Sequence, residues 1–224
     1  MTTATRPTLV LLHSTNQNPT NWQSVVEALD PSRPMIAPWI KGLKPLEEAE
    51  ASKDAVAAFG TLSLAEAAAD IANQMETQGI ERADVVGFQL GGMVALRLAA
   101  ELPDRIGHVV AVSTPVLPPL SVLKQTRRLA GLMPKSAFKD QPKAEVLKAM
   151  DVMMSPDMNT DLSLVKAPVL AVTAAEDPAA GQALQLLTGQ IPQTVTKTLP
   201  GADPDLMTAA PKELAALIEE FTAQ

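Results

Sequence analysis

Val85-Val86-Gly87-Phe88-Gln89-Leu90-Gly91-Gly92 is an apolar run that passes through a glycine-bracketed turn into a helical pattern. Glycine two residues either side of a central position permits a sharp, strained turn that lifts one side chain clear of the backbone, and that side chain is Gln89. A carboxamide donates and accepts hydrogen bonds but does not attack carbon, so Gln89 orients a bound group or merely fills space. Leu90 opens the helix, where free backbone N–H groups can hold a polarised carbonyl. Few other residues could carry catalysis. There is no cysteine and there are two histidines, which removes disulfides and thiolates and makes an imidazole-rich zinc site hard to build. His13 ends the run Leu9–Leu12 in His13-Ser14-Thr15. It is expected either to be hydrogen-bonded beneath that loop or to act in a pocket. His108, at a strand entrance, is expected to be structural or solvent-facing. Ser14, Thr15, Ser113 and Thr114 could serve as donors near a pocket. Asp177, before Pro178, is either a helix cap or a partly desolvated carboxylate whose raised pKa would suit acid–base work.

These residues need elements to position them. Thr8–His13, Met35–Pro38, Ala83–Phe88, His108–Ser113, Val169–Thr173 and Thr194–Leu199 are nearly all apolar, as strands covered on both faces should be. Between them Asn21–Leu29, Leu64–Gln78, Leu90–Glu101, Ala180–Gly189 and Lys212–Thr222 show helical periodicity, with Ser63 and Glu66 at capping-box spacing. The alternation predicts an α/β fold with a doubly wound, mostly parallel sheet. The 224 residues suit one domain, 1–224, broken by a Pro- and Met-rich insertion at about 114–166 that carries helical patches near Val122–Gly131 and Glu145–Met154. It should sit over the carboxyl edge of the sheet as a lid, with the loop Ile40–Gly60 over the same edge. Eighteen Lys and Arg against 25 Asp and Glu give a net charge of −7, which argues against nucleic acid. No apolar stretch approaches the roughly 18–20 residues of a spanning helix, and the short run Leu9–Leu12 is no signal peptide, so a cytoplasmic protein without a membrane partner is expected.

The glycine-bracketed turn resembles the nucleophile elbow of the α/β-hydrolase superfamily. Further stretches in family order are Val10-Leu11-Leu12-His13, Ile36-Ala37-Pro38, Pro103-Asp104-Arg105-Ile106, Ala167-Pro168-Val169-Leu170 before Glu176-Asp177-Pro178, and Leu199-Pro200-Gly201-Ala202. The resemblance implies a Ser-His-Asp triad and an oxyanion hole, and the chain departs from two of the three triad expectations. Gln89 stands where the nucleophile should be, Pro204 where the histidine should be, and Asp177 alone matches the acid. Removing either of the first two costs nearly as much as removing the triad.

A site assembled from Gln89, Asp177, His13 and backbone donors would hold a carbonyl or enolate without attacking it. Three readings follow: a cofactor-free, non-hydrolytic enzyme steering cyclisation, isomerisation or elimination of a small apolar or polyketide-like molecule; an inactive relative that binds a small molecule or partner protein; and a hydrolase with relocated residues. Ser14, Thr15, Leu90 and Ser113 would line the pocket, Trp22 and Trp39 flank its entrance, and Met133, Met150 and Met154 form an adaptable wall or ordinary packing. Lys124, Arg127 and Arg128 form a basic face that is either solvated or draws anions. No dinucleotide or phosphate-loop motif occurs, and Asp203 with Asp205 makes only weak material for a metal site, so no cofactor or metal is expected.

Overall fold

Six short strands pair into one sheet in the order β2-β1-β3-β4-β5-β6, and every pairing is parallel. The computed structural model describes residues 6–14, 17–41, 63–134, 143–201 and 203–224. The strands are β1 (Thr8–Leu12), β2 (Met35–Ile36), β3 (Ala83–Phe88), β4 (Ile106–Val112), β5 (Val169–Ala174) and β6 (Val195–Leu199). The helices are α1 (Gln23–Val26), α2 (Leu64–Thr77), α3 (Leu90–Glu101), α4 (Leu120–Leu132), α5 (Lys143–Met153), α6 (Ala180–Gln190), α7 (Leu206–Ala209) and α8 (Pro211–Thr222).

Successive side chains point to opposite faces of a strand, and the inner strands are buried at nearly every position, so two cores form. Val10, Leu12, Val85, Val109, Val169 and Ala171 pack on one face with α2, α3 and Leu187 of α6. Leu9, Leu11, Val86, Phe88, Val110, Val112 and Val172 pack on the other with Val25 of α1, Leu206 and Met207 of α7, and α8. Four differences from the sequence expectations have local causes. The edge strand β6 exposes its first four residues, as its polar sequence VTKTL permits, and β2 is only two residues long. Asn18 caps a 3-10 turn at Pro19–Trp22, which leaves a single α-helical turn where Asn21–Leu29 was expected. Glu66 N–H donates to Ser63 Oγ at 3.1 Å, but the Glu66 carboxylate pairs with Lys41 Nζ at 3.0 Å instead of completing a capping box. Of the loop Ile40–Gly60, residues beyond Lys41 lie outside the described residues.

The chain leaves β1 toward β2 on one side, then returns to place β3 on the other. Connections diverging from adjacent strands open a crevice at their carboxyl ends, where open α/β sheets bind ligands. His13 and Ser14 follow β1 directly and Gln89 follows β3, so the topology alone brings them to that crevice. Helices α4 and α5 occupy the connection that leaves the carboxyl end of β4. Arg127 joins them by holding Asp151 in two hydrogen bonds of 2.9 and 3.1 Å, and Lys143 Nζ donates to the carbonyls of Gly131 and Met133 at the end of α4.

Candidate active site

Gln89 has φ 46° and ψ −112°, a left-handed conformation that L side chains rarely adopt and that is worth about 1–3 kcal/mol of strain. Packing holds it there. A Cβ on Gly87 would come within 2.5 Å of Gly92 Cα, and one on Gly91 within 2.5 Å of the His13 carbonyl oxygen. A Cβ on Gly92 would overlap Thr114, with its Cγ2 at 2.8 Å. Only glycine lets the first turn of α3 lie directly against the ends of β1 and β4. Gln89 N–H donates to the Val112 carbonyl at 2.9 Å, which pins the apex to β4.

Across the crevice, Ser14 Oγ donates to Gln89 Oε1 at 3.2 Å and accepts from Leu90 N–H at 3.4 Å. The hydroxyl thus sits at the backbone donor that opens α3, while the Ser14 N–H donates to Gln17 Oε1 at 3.1 Å. Gln89 is half-buried, and its Nε2 has no protein partner among the described residues. Long, weak bonds at Ser14 and an unengaged amide nitrogen make a cluster that can exchange its internal contacts for those of a ligand carbonyl. Gln17 was not anticipated, and no sequence signal marks it. Thr15 lies outside the described residues.

His13 is fully buried. Its Nδ1–H donates to the Ser14 carbonyl at 2.9 Å, its Nε2 accepts from Ile40 N–H at 3.3 Å, and Trp39 meets the ring edge-on at 5.3 Å. Both nitrogens are therefore engaged in fastening the loop after β1 to the segment after β2. Burial pushes the imidazole pKa below its ordinary 6.5, with the Ser14 carbonyl opposing. Between that depressed value and 6.5 the unfolded chain holds a proton that the folded chain lacks, so stability falls as pH drops through this window. Urea titrations from pH 7.5 downward should show the decline beginning near 6.5, and His13→Gln should flatten it while lowering stability at pH 7.5 by about 1–2 kcal/mol.

The other expected residues are spread more widely. Asp177 Oδ1 accepts from Ala179 N–H at 2.9 Å in a turn just ahead of α6, whose own N-cap is Ala179, so the carboxylate braces the turn without capping the helix. Ser113 has φ 45°, and its Oγ donates to the Pro204 carbonyl at 2.7 Å, tying β4 to the loop after β6. Trp22 is fully buried with Leu9 and Leu11 in the second core, away from any entrance, because its turn packs inward on the sheet. Trp39 is 44% exposed. Met133 is exposed at the end of α4, and Met150 and Met154 are half-buried on or just after α5. Instead, Met93 and Met158 join Leu96, Val116, Leu117 and Leu162 around a crevice of about 20 Å³ between α3 and the start of the insertion. His108 lies at the opposite edge of the sheet, where its Nδ1–H donates to Asp84 Oδ1 at 2.8 Å and its ring meets Phe221. Among the described residues no group of three potential metal ligands occurs, and no helix is long and apolar enough to cross a membrane.

An all-parallel sheet with a strained elbow at the switch between β1 and β3 defines the class, and a family model for the α/β-hydrolase fold matches residues 7–140. The chain belongs to the α/β-hydrolase family. Over 173 residues it is 29% identical to a pimeloyl-[acyl-carrier protein] methyl ester esterase of Vibrio campbellii, covering 74% of this chain and 61% of that protein. The chain thus spans under two thirds of the length of that curated relative. The fold is also that of a hydrolase from Pseudomonas aeruginosa PA01, with a TM-score of 0.66 at 18% identity, covering 99% of this chain and 91% of the other. A carboxylesterase structure from Nitrososphaera gargenis gives a TM-score of 0.68 at 16% identity, covering 97% and 90%.

Proposed function

We propose that this member of the family is non-hydrolytic, and that it uses the elbow to bind a small, largely apolar molecule through a carbonyl. The observation that carries the reading is the apex itself: Gln89 holds the nucleophile's place, braced by Ser14, while neither histidine is available to it as a base. His13 has both nitrogens bonded, and His108 sits at the far edge of the sheet. A hydroxyl without a base is not activated, so Ser14 is a donor and not a nucleophile. A ligand carbonyl entering the crevice would accept from Leu90 N–H and Gln89 Nε2, with Ser14 Oγ turning toward it. Donors fixed on the carbonyl oxygen would hold the charge that develops there during a cyclisation, isomerisation or elimination in which the proton passes between groups of the substrate itself, and α4 with α5 would close over the site as a lid.

The esterase activity of the Vibrio relative favours a second reading, ester hydrolysis from relocated groups. A serine-directed fluorophosphonate separates the two. The protein is expected to remain unlabelled after prolonged exposure, and one equivalent of label on Ser14 would establish the hydrolase. Incubation with a small-molecule extract of the source cells should yield a product that accumulates beyond one equivalent and is lost in Gln89→Ala. Stoichiometric retention without conversion would reduce the function to binding.

A further inference from the structure

Helix α4 buries one apolar stripe and exposes another. Leu123 and Ala130 are each 6% exposed, whereas Val122, Leu129 and Leu132 are 46, 56 and 78% exposed, with Met133 adding a fourth exposed apolar side chain at the helix end. At about 100° per residue, Val122, Leu129 and Leu132 fall within an arc of about 80°, which they share with the exposed Gln125. Arg128 and then Lys124 lie next to that arc on the Leu132 side, both exposed. Arg127 is held by Asp151, but Arg128 and Lys124 have no acidic partner among the described residues. The charge of the chain is divided in the same sense. Residues 114–166 carry a net +3, and the remainder carries a net −10.

We propose that α4 is a surface anchor that lays its exposed aliphatic arc, with Arg128 and Lys124 beside it, onto an anionic lipid surface. An apolar stripe bordered by long cationic side chains suits the headgroup boundary, where aliphatic residues enter the acyl region and Lys and Arg reach lipid phosphates. The arc contains no aromatic residue, whereas protein hot spots are enriched in Trp, Tyr and Arg. A second copy of the chain would bring Arg128 and Lys124 against their own counterparts. The acidic body is repelled by the same surface, which orients the molecule with the insertion foremost. Because the insertion departs from the carboxyl end of β4, that orientation turns the edge carrying Gln89 toward the lipid, a convenient source of apolar ligand. The expectation of no membrane partner rested on the lack of a spanning stretch, and a helix lying in the interface needs none.

The test uses the full chain and large unilamellar vesicles of phosphatidylcholine alone or mixed equally with phosphatidylglycerol, separated by sedimentation. Retention on the anionic vesicles is expected to exceed that on neutral ones by at least about tenfold, since each cation near the surface contributes about 1 kcal/mol. It should fall by a similar factor in L129E/L132E and in K124E/R128E, and on raising salt from about 50 to about 500 mM. Melting curves matching the wild type establish that the variants fold, and L132E alone, at the most exposed position, replaces a double variant that does not. Equal retention on both vesicle types, or retention unchanged by L129E/L132E, overturns the proposal. So does a vesicle-independent dimer that L129E/L132E dissociates, or an acidic protein that occupies the arc while vesicles do not.

Discussion

Gly91→Ala is expected to lower the thermal midpoint by about 10 °C, equivalent to about 3–4 kcal/mol at about 2–4 °C per kcal/mol for a chain of this size. The added Cβ would lie 2.7 Å from the Leu12 carbonyl carbon and 2.5 Å from the His13 carbonyl oxygen. Those are backbone atoms in the centre of the sheet, and they cannot swing aside as a side chain would. Either α3 lifts away from β1 or β1 shifts its register, and both moves loosen Leu90 and Met93 in the core. Overpacking a flexible neighbourhood costs about 1–3 kcal/mol, and a rigid one lies at or beyond the top of that range. Gly181→Ala, in α6 with nothing near its missing Cβ, is the control and should stabilise slightly. Calorimetry on both variants checks the contrast.

The second large effect lies at the opposite edge of the sheet. Asp84 is fully buried in β3 and bonded by Arg33 and His108, and the Arg33 side chain is likewise fully buried. Arg33 also donates from Nε to the Pro7 carbonyl at 3.1 Å and from Nη1 to Thr222 Oγ1 at 2.7 Å, so one guanidinium joins the start of the chain, β3 and the end of α8. Burial pulls the guanidinium below its ordinary pKa while the Asp84 carboxylate holds it up. Asp84→Leu removes the compensating charge and leaves a guanidinium in an apolar setting, at an expected loss of about 3–5 kcal/mol. Arg33→Met with Asp84→Leu removes both charges and should recover most of that loss in urea unfolding. A double variant as unstable as the single one would show that the ion pair itself supplies net stability.

Neither effect could be read from single residues. The strands and helices were legible because apolar runs and helical periodicity alternate cleanly, and Leu90–Glu101 was bounded by its own glycine turn. The carboxamide at the apex was equally plain. What it touches was not: Ser14 and Gln89 are 75 positions apart, and only the sheet order makes them neighbours. Arg33 carries no signal in the sequence, because its burial depends on a carboxylate 51 positions away. Trp22 resembled an entrance residue from its place after a strand, yet the direction of its turn, set by Asn18 and Pro19, points it inward. On α4 the sequence announced a helical patch near Val122–Gly131 with a basic face but not that it has two apolar faces, since exposure is decided by what packs against it.

The sheet order also bears on how a ligand for this protein can be found. The candidate site straddles β1 and β3, two strands that meet only after about 70 residues of intervening chain have found their places. No local fragment can assemble it. A molecule that binds there is bound by the complete fold alone, so its binding energy is added to the stability of the whole fold and appears as a rise in the melting midpoint. At a hundredfold excess over its dissociation constant, a ligand adds about 2.7 kcal/mol. Thermal-shift screening thus reports occupancy of the crevice without knowledge of the reaction, and Gln89→Ala marks which hits belong to it.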